Sequence, residues 1–126
     1  MANGEIRSYE DLAAWQLAVD LSVEVYRVTE SFPAVDRFGL AQQVRRAAVS
    51  VPSNIAEGYG RGSRTDYARF LRISRGSLYE VETQLLIAKR LGWLEEQTYQ
   101  GLRGRLKENG RVLAGLIRSI ERGPGS

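Results

Sequence analysis

The fold is decided by residues 63–92, which read SRTDYARFLRISRGSLYEVETQLLIAKRLG. Apolar side chains recur in this stretch every three or four residues, which is the period of one face of an α-helix. Ser63 and Asp66 have the spacing of a capping box, which predicts the helix start, and Gly92 is a natural C-terminal stop. The stretch predicts a helix of about 28 residues, roughly 40 Å long. Its predicted core face consists of Tyr67, Phe70, Leu71, Ser74, Leu78, Val81, Leu85 and Ala88.

Three further segments have a helical period, and no segment alternates strictly as a strand does. The second of them keeps its apolar register through Pro52, which predicts a kink in a continuous helix rather than a break. Four helices with short connections predict an all-α, up-down-up-down antiparallel four-helix bundle. The three additional helices are expected at about 8–31, 39–59 and 95–121.

The length of the chain fits one domain. With 126 residues at 14.1 kDa, it is long enough for one hydrophobic core and too short for two. We expect a single domain over residues 8–121, with flexible termini at 1–7 and 122–126. No apolar run reaches the length of about 18 residues that spans a membrane. The N-terminus lacks the basic and apolar regions of a signal peptide, which favours a cytoplasmic location.

The sequence contains no Cys and no His. Disulfides, thiolate nucleophiles, Cys/His zinc sites and imidazole-dependent triads are therefore excluded. We expect a protein that is not an enzyme and that has no cofactor, metal ion or small-molecule substrate.

Basic residues concentrate in the middle of the chain. Residues 1–36 hold two Arg against seven acidic residues, whereas residues 37–75 hold eight Arg against two. On adjoining helices these arginines would form a surface that neutralises backbone phosphates of a nucleic acid. A solvated face of ion pairs, with arginines favoured by a GC-rich genome, explains them equally well. The candidate nucleic-acid-binding residues are Arg45, Arg46, Arg61, Arg64, Arg69, Arg72 and Arg75.

A polar group surrounds Pro52 on the second helix. Ser50, Asn54 and Glu57 share one face, and Glu57 has the spacing to pair with Arg61 one turn later. A catalytic role for Glu57 lacks a partner at a suitable spacing, so we interpret the group as structural. We read the glycines at 58–62 as a helix stop, although such a loop could also cradle phosphate. Gly76 is expected to let the third helix approach the second near residues 53–56.

Apolar residues exceed what one bundle needs to bury. The first helix has an apolar stripe through Trp15 and Tyr26 and a second apolar stripe beside it. The third helix has apolar residues outside its core face. We predict contacts with another subunit there. The fourth helix holds four glycines that each cost roughly 1 kcal/mol relative to Ala, for which close approach to a neighbour is one explanation. The predicted interface comprises Leu17, Leu21, Val25, Val28, Tyr79, Leu86 and Ile87.

Three motifs resemble a known bacterial family. They are YEDLAAWQLA at 9–18, QVRRAAVSVPSNIAEG at 43–58 and FLRISRGSLYE at 70–80. Together they resemble the 23S rRNA intervening-sequence proteins over residues 8–120, with Ser74 standing where Ala is usual. The motif residues that we assign a structural role are Ser50, Pro52, Asn54, Glu57, Gly58, Gly76 and Ser77.

The resemblance implies a four-helix bundle that assembles as a ring-like homopentamer, with a largely unassigned role. The family is also similar to the accessory variability proteins of diversity-generating retroelements, which work with a reverse transcriptase and RNA. Two hypotheses stay open. The chain is a non-catalytic homo-oligomer that binds structured RNA or an RNA–protein complex, or it is a scaffold for a protein partner without nucleic-acid binding.

Overall fold

The computed structural model describes residues 5–36 and 38–123, and these are helical with no strand. α2 packs against α1 and α3, and α4 packs against α3 and α1, so chain order is also the order around the bundle. Contacts that pair high numbers on α2 with low numbers on α3 show that these two helices are antiparallel. The predicted four-helix bundle is therefore confirmed. The helices are α1 (Ala13–Thr29), α2 (Leu40–Tyr59), α3 (Arg64–Arg90) and α4 (Glu96–Arg122).

Local hydrogen bonds set the ends of α3 as the sequence predicted. The Ser63 hydroxyl accepts the Asp66 backbone N–H at 3.1 Å. At the other end Gly92 has φ of 83°, and the backbone N–H of Trp93 donates to the Ala88 carbonyl at 2.9 Å. That combination is a Schellman motif, in which glycine takes the left-handed conformation that a side chain would disfavour.

The bounds of α1 and α4 differ from the sequence-based expectation. α1 begins at Ala13, because residues 9–11 form a 3-10 turn whose start is capped by the Ser8 hydroxyl. α4 continues through Arg122, one residue beyond the predicted domain end. The flexibility expected of the termini falls partly on residues 1–4 and 124–126, which lie outside the described residues.

The core face of α1 runs between the two stripes that the sequence suggested. Ala18, Leu21 and Val25 are completely buried within the single chain. The assignment of Leu21 and Val25 to a subunit interface is therefore wrong. Their side chains pack into the core of the bundle, on the same face of α1 as the smaller Ala14 and Ala18.

Pro52 lies inside α2 without interrupting it, as predicted, while the kink itself stays a prediction. Proline has no N–H, so the Ala48 carbonyl one turn earlier lacks its usual helical donor. The Ser22 hydroxyl of α1 fills this gap, with its oxygen 2.9 Å from the Ala48 oxygen in a buried position. A second buried hydroxyl, that of Ser74, donates to the Val51 carbonyl at 2.8 Å. Both bonds join α2 to neighbouring helices beside the proline.

The glycines of the bundle differ in how closely other residues approach them. A Cβ on Gly58 would lie 2.8 Å from the Phe70 Cβ, so Gly58 is a point of close approach between α2 and α3. It belongs to α2 itself, and the predicted helix stop begins only at Gly60. The close approach expected at Gly76 is wrong, because no atom lies within 4 Å of a Cβ there. Gly101 and Gly104 of α4 also face open space.

Candidate nucleic-acid interface

The seven candidate arginines do not form one surface. Arg45 is a structural residue, since its Nε donates to the Thr29 hydroxyl at 2.7 Å and its guanidinium lies 4.8 Å from the centre of the Tyr26 ring. Its neighbour Arg46 lines two grooves, one between α2 and α3 that also contains Glu80 and one between α1 and α2 that also contains Tyr26. Both arginines are therefore separated from those that begin α3.

Arg61 and Arg69 form a cluster around Phe70 at the α2–α3 turn. Their guanidinium carbons lie 5.2 and 4.6 Å from the centre of the Phe70 ring. Each is also paired with an acid, Arg61 with Glu57 at 3.0 Å and Arg69 with Asp66 at 3.5 Å. The cluster is locally neutral, which makes it a weak phosphate site and a better anchor for the turn.

The polar motif around Pro52 is a hydrogen-bonded network and has no catalytic arrangement. The Ser50 and Ser77 hydroxyls are 2.8 Å apart, and the Asn54 amide donates to the Ser50 hydroxyl at 2.9 Å. Glu57 pairs with Arg61, as the sequence suggested. These residues join α2 to α3 and use one another as partners. Within the described ranges, no group of three or more His, Cys, Asp or Glu side chains is placed to hold a metal ion.

Unpaired cations gather instead along the groove between α3 and α4. Arg103 and Lys107 line this groove opposite Leu86. Arg118 lies three turns beyond Lys107, so it shares the same face of α4, and Arg64 and Arg75 share the face of α3 that carries Leu86. Among residues 5–36 and 38–123, none of these cations has a side-chain hydrogen bond or an ion pair. We call this set the α3–α4 basic groove: Arg64, Arg75, Arg103, Lys107 and Arg118.

The ends of the groove are defined by contacts between the two helices. Arg72 of α3 forms an ion pair with Glu121 of α4 across it. A Cβ on Gly123 would lie 2.6 Å from the Arg64 guanidinium, so Arg64 reaches the C-terminal end of α4. Toward the other end, Lys89 pairs with Glu96 at 2.9 Å. The groove therefore extends along nearly the whole length of α3.

The charge of the bundle is distributed unevenly among its helices. α3 and α4 each hold six basic against three acidic residues, whereas α1 holds one basic against two acidic residues. The α4 cations were not among the candidate residues, because the charge balance of the last third of the chain averages them with the neighbouring acids. A count for each predicted helix would have found them.

One carboxylate lies inside the basic groove. Glu82 of α3 lines it beside Arg103 and Lys107. Burial raises the pKa of Glu82 above its usual range, and the nearby Arg103 only partly offsets this effect. Within the described residues, the Glu82 side chain has no hydrogen-bond donor and no ion pair, and it lines the open groove.

The remaining residues of the predicted subunit interface differ in their exposure. Tyr79 and Ile87 are exposed on α3, Leu86 lines the basic groove, and Leu17 and Val28 are partly buried. A different apolar surface, absent from the sequence-based set, lies between α1 and α2. Tyr26, Phe38 and Val49, which are 46%, 83% and 41% exposed, line one open groove there together with Gln42, Arg45 and Arg46. In the part of the chain that is described, no helix is long and apolar enough to cross a membrane.

Comparison with known proteins identifies the family. The model of the 23S rRNA-intervening sequence protein matches residues 10–115. No curated protein matches the chain. A protein of unknown function from the S23 ribosomal protein family of Bacteroides thetaiotaomicron VPI-5482 has a similar crystal structure, with a TM-score of 0.77 and 20% sequence identity over 84% of this chain and 96% of that chain. That likeness concerns the fold alone, while the match to the family model includes all three sequence motifs except Tyr9. The chain belongs to the 23S rRNA-intervening sequence protein family.

Proposed function

We propose that this protein is a non-catalytic homo-oligomer that binds structured RNA along the α3–α4 basic groove. The observation that carries the proposal is the set of five cations along this groove that lack any side-chain partner within the described residues. Cations that form no ion pair retain their capacity to replace the counterions of phosphates. Four of the five are arginines, which bind phosphate oxygens in a bidentate way.

The dimensions of the groove fit a nucleic-acid backbone. From Arg64 to Leu86, α3 rises by about 33 Å at 1.5 Å per residue. A backbone of that length carries several phosphates on each strand, since successive phosphates advance along the helix axis by roughly 3.4 Å in a DNA duplex, and by no more in RNA. α1, on the side of the bundle away from the groove, is acidic and would repel the same ligand. The charge distribution therefore favours one orientation of the protein on RNA.

The side chains of the polar group around Pro52 support a non-catalytic role. Glu57, the one carboxylate that the sequence suggested as a general base, is exposed and paired with Arg61. The hydroxyl and amide groups near it hydrogen-bond to one another. The sequence has no imidazole or thiol, and within the polar group around Pro52 the hydroxyl, amide and carboxylate groups are occupied by one another or by Arg61.

Fluorescence anisotropy with a labelled hairpin RNA over a series of salt concentrations tests the proposal. Five phosphate contacts predict a slope of log affinity against log salt of about −3.5 to −4.5. The variant Arg75→Ser with Arg118→Ser should bind more weakly, with a slope reduced in magnitude by about 1.4 to 1.8. Arg27→Ser with Arg105→Ser is the matched control, because it removes the same charge from exposed positions that line neither the basic groove nor the groove at Tyr26. Equal losses in the two variants would show that binding depends only on net charge.

Self-association is supported by the apolar groove between α1 and α2. Tyr26, Phe38 and Val49 expose more apolar surface in one place than isolated surface residues do. This surface lies on α1, α2 and the connection between them, so a second copy docked there would leave the α3–α4 basic groove open to RNA. The family resemblance suggests five subunits.

Native mass spectrometry tests this part of the proposal. The wild-type protein should be an oligomer, and Phe38→Ser with Val49→Glu should shift it toward the monomer. Val35→Ser is the control, because Val35 is exposed but does not line the apolar groove. A monomeric wild-type protein would contradict self-association. An oligomer that copurifies with a specific protein and has no RNA affinity at physiological salt would support the scaffold hypothesis instead.

A further inference from the structure

A pocket of about 310 Å³ lies within the α3–α4 basic groove. Its volume is near the lower end of the range for small-molecule sites, which suits a ligand the size of one nucleotide. The walls combine two kinds of side chain. Tyr99, Leu86 and Leu106 provide an aromatic and aliphatic surface, and Glu82, Arg103 and Lys107 provide charge.

The three charged residues of the pocket are unusual because they do not pair with one another. Arg103 is close enough to Glu82 to lower its pKa, yet no oxygen of Glu82 lies within 4.0 Å of a basic nitrogen in the described part of the chain. Ion pairs between adjacent helices form elsewhere on the same two helices, as between Lys89 and Glu96. The pocket therefore presents one partly desolvated acceptor and two cations, all with unused hydrogen-bonding capacity.

These groups define the chemistry of a complementary ligand. It needs a flat ring to stack on Tyr99 and fill the space beside the leucines. It also needs adjacent N–H donors for the Glu82 carboxylate and a negative group for Arg103 and Lys107. Guanine carries N1–H and N2–H side by side on its Watson–Crick edge, so one carboxylate can accept from both. Adenine, cytosine and uracil each place an acceptor beside their donor on that edge, and this acceptor would oppose the second carboxylate oxygen.

We propose that the pocket between α3 and α4 binds an unpaired guanine nucleotide. The base stacks on Tyr99, its Watson–Crick edge donates to Glu82, and its phosphate contacts Arg103 and Lys107. Where the nucleotide belongs to RNA, the proposal rests on the RNA-binding function proposed above. Free guanosine monophosphate has the same recognition chemistry, so the experiment includes both sources.

The test compares two hairpin RNAs that differ only in one loop base, guanine or adenine, by fluorescence anisotropy with the full chain. Guanosine and adenosine monophosphate are titrated separately by isothermal calorimetry. We expect the wild-type protein to prefer the guanine hairpin by about 5- to 150-fold, the range typical of one bidentate base contact. Glu82→Gln should remove most of this preference, because an amide replaces one acceptor by a donor.

Two further variants separate base recognition from general effects. Glu80→Gln is the matched control, since it makes the same change of charge on an exposed part of α3 outside the pocket. It should leave the preference intact. Tyr99→Leu should weaken binding of both hairpins by about 5- to 150-fold, as expected for one stacked base. Circular dichroism melting curves establish that each variant is folded.

The outcomes distinguish this proposal from the proposed function. Salt-dependent RNA binding without a guanine preference would overturn the pocket proposal and leave the basic groove in place. Binding of guanosine monophosphate, sensitive to Glu82→Gln, by a protein with no RNA affinity would support the pocket and overturn the RNA-binding function. A guanine preference seen only with the hairpins would support both and identify RNA as the source. A preference unchanged in Glu82→Gln would overturn the assignment of this carboxylate.

Discussion

The bond between Ser22 and the Ala48 carbonyl should couple energetically to Pro52. The Ser22 hydroxyl has one hydrogen and lies 2.9 Å from the oxygens of both Ala18 and Ala48. The Ala18 carbonyl already has a helical donor in the Ser22 N–H, whereas the Ala48 carbonyl has lost its donor to Pro52. Both residues are buried, so Ser22→Ala leaves the Ala48 oxygen without a donor and without water. The expected loss of unfolding free energy is about 1–3 kcal/mol.

A double-mutant cycle measures the coupling. In Pro52→Ala, the new N–H donates to the Ala48 carbonyl, so the Ser22 hydroxyl is no longer needed there. Ser22→Ala should then cost about 1–2 kcal/mol less in the Pro52→Ala background than in the wild type. Urea unfolding, followed by circular dichroism, gives the four free energies.

Ser74→Ala provides the control for this cycle. The Ser74 hydroxyl donates to the Val51 carbonyl at 2.8 Å, but that carbonyl keeps its helical donor, the N–H of Ile55. Ser74→Ala should therefore cost the same with and without Pro52, although Val51 is the residue next to the proline. If Ser22→Ala and Pro52→Ala are additive within about 0.5 kcal/mol, the hydroxyl does not replace the missing helical donor.

Three further predictions follow from other contacts. Gly58→Ala should be less stable than Gly104→Ala by about 1–3 kcal/mol in urea unfolding, because only the Cβ at 58 overlaps Phe70; equal effects would contradict close approach at Gly58. Burial, with a smaller contribution from the nearby Tyr59, raises the pKa of Tyr67 to about 12. The unfolded chain then releases this proton at a lower pH than the native protein, so stability should decline as the pH rises from about 10 to 12, and an ultraviolet titration compared with Tyr67→Phe should show the late phenol. Arg45→Ala should lower stability by about 1 kcal/mol through loss of the bond to the Thr29 hydroxyl. Its RNA affinity should stay within twofold of the wild type, and a larger loss would place Arg45 in the interface.

The fold was largely predictable because its determinants are local. The capping residues Ser63 and Gly92, together with the apolar period of α3, fix that helix whatever surrounds it. The core face of α1 was not predictable in the same way. Apolar residues there occupy positions all around the helix, so the periodicity indicates two stripes and does not show that Leu21 and Val25 face inward. That choice depends on which face the neighbouring helices cover.

The candidate surface was predictable in composition and not in arrangement. Arginine content alone does not distinguish Arg45, which hydrogen-bonds to α1, from Arg75, which has no partner among the described residues. Partners such as the Glu121 of Arg72 come from a helix nearly fifty residues away, and no local pattern indicates that pairing. Sequence spacing therefore identifies which residues are basic, and the tertiary fold determines which of them remain unpaired.

α4 is the weakest helix former in the bundle, and it also contributes most of the cations of the α3–α4 basic groove. α4 holds four glycines, so its stability depends on packing Leu102, Leu106, Leu113 and Ile117 against the other helices. That packing uses only the inner face. Gly101 and Gly104 leave part of the outer backbone uncovered, and Arg103 and Lys107 line the groove beside it. A ligand that contacts α3 and α4 together would add connections between them, so RNA binding and the stability of α4 should be linked.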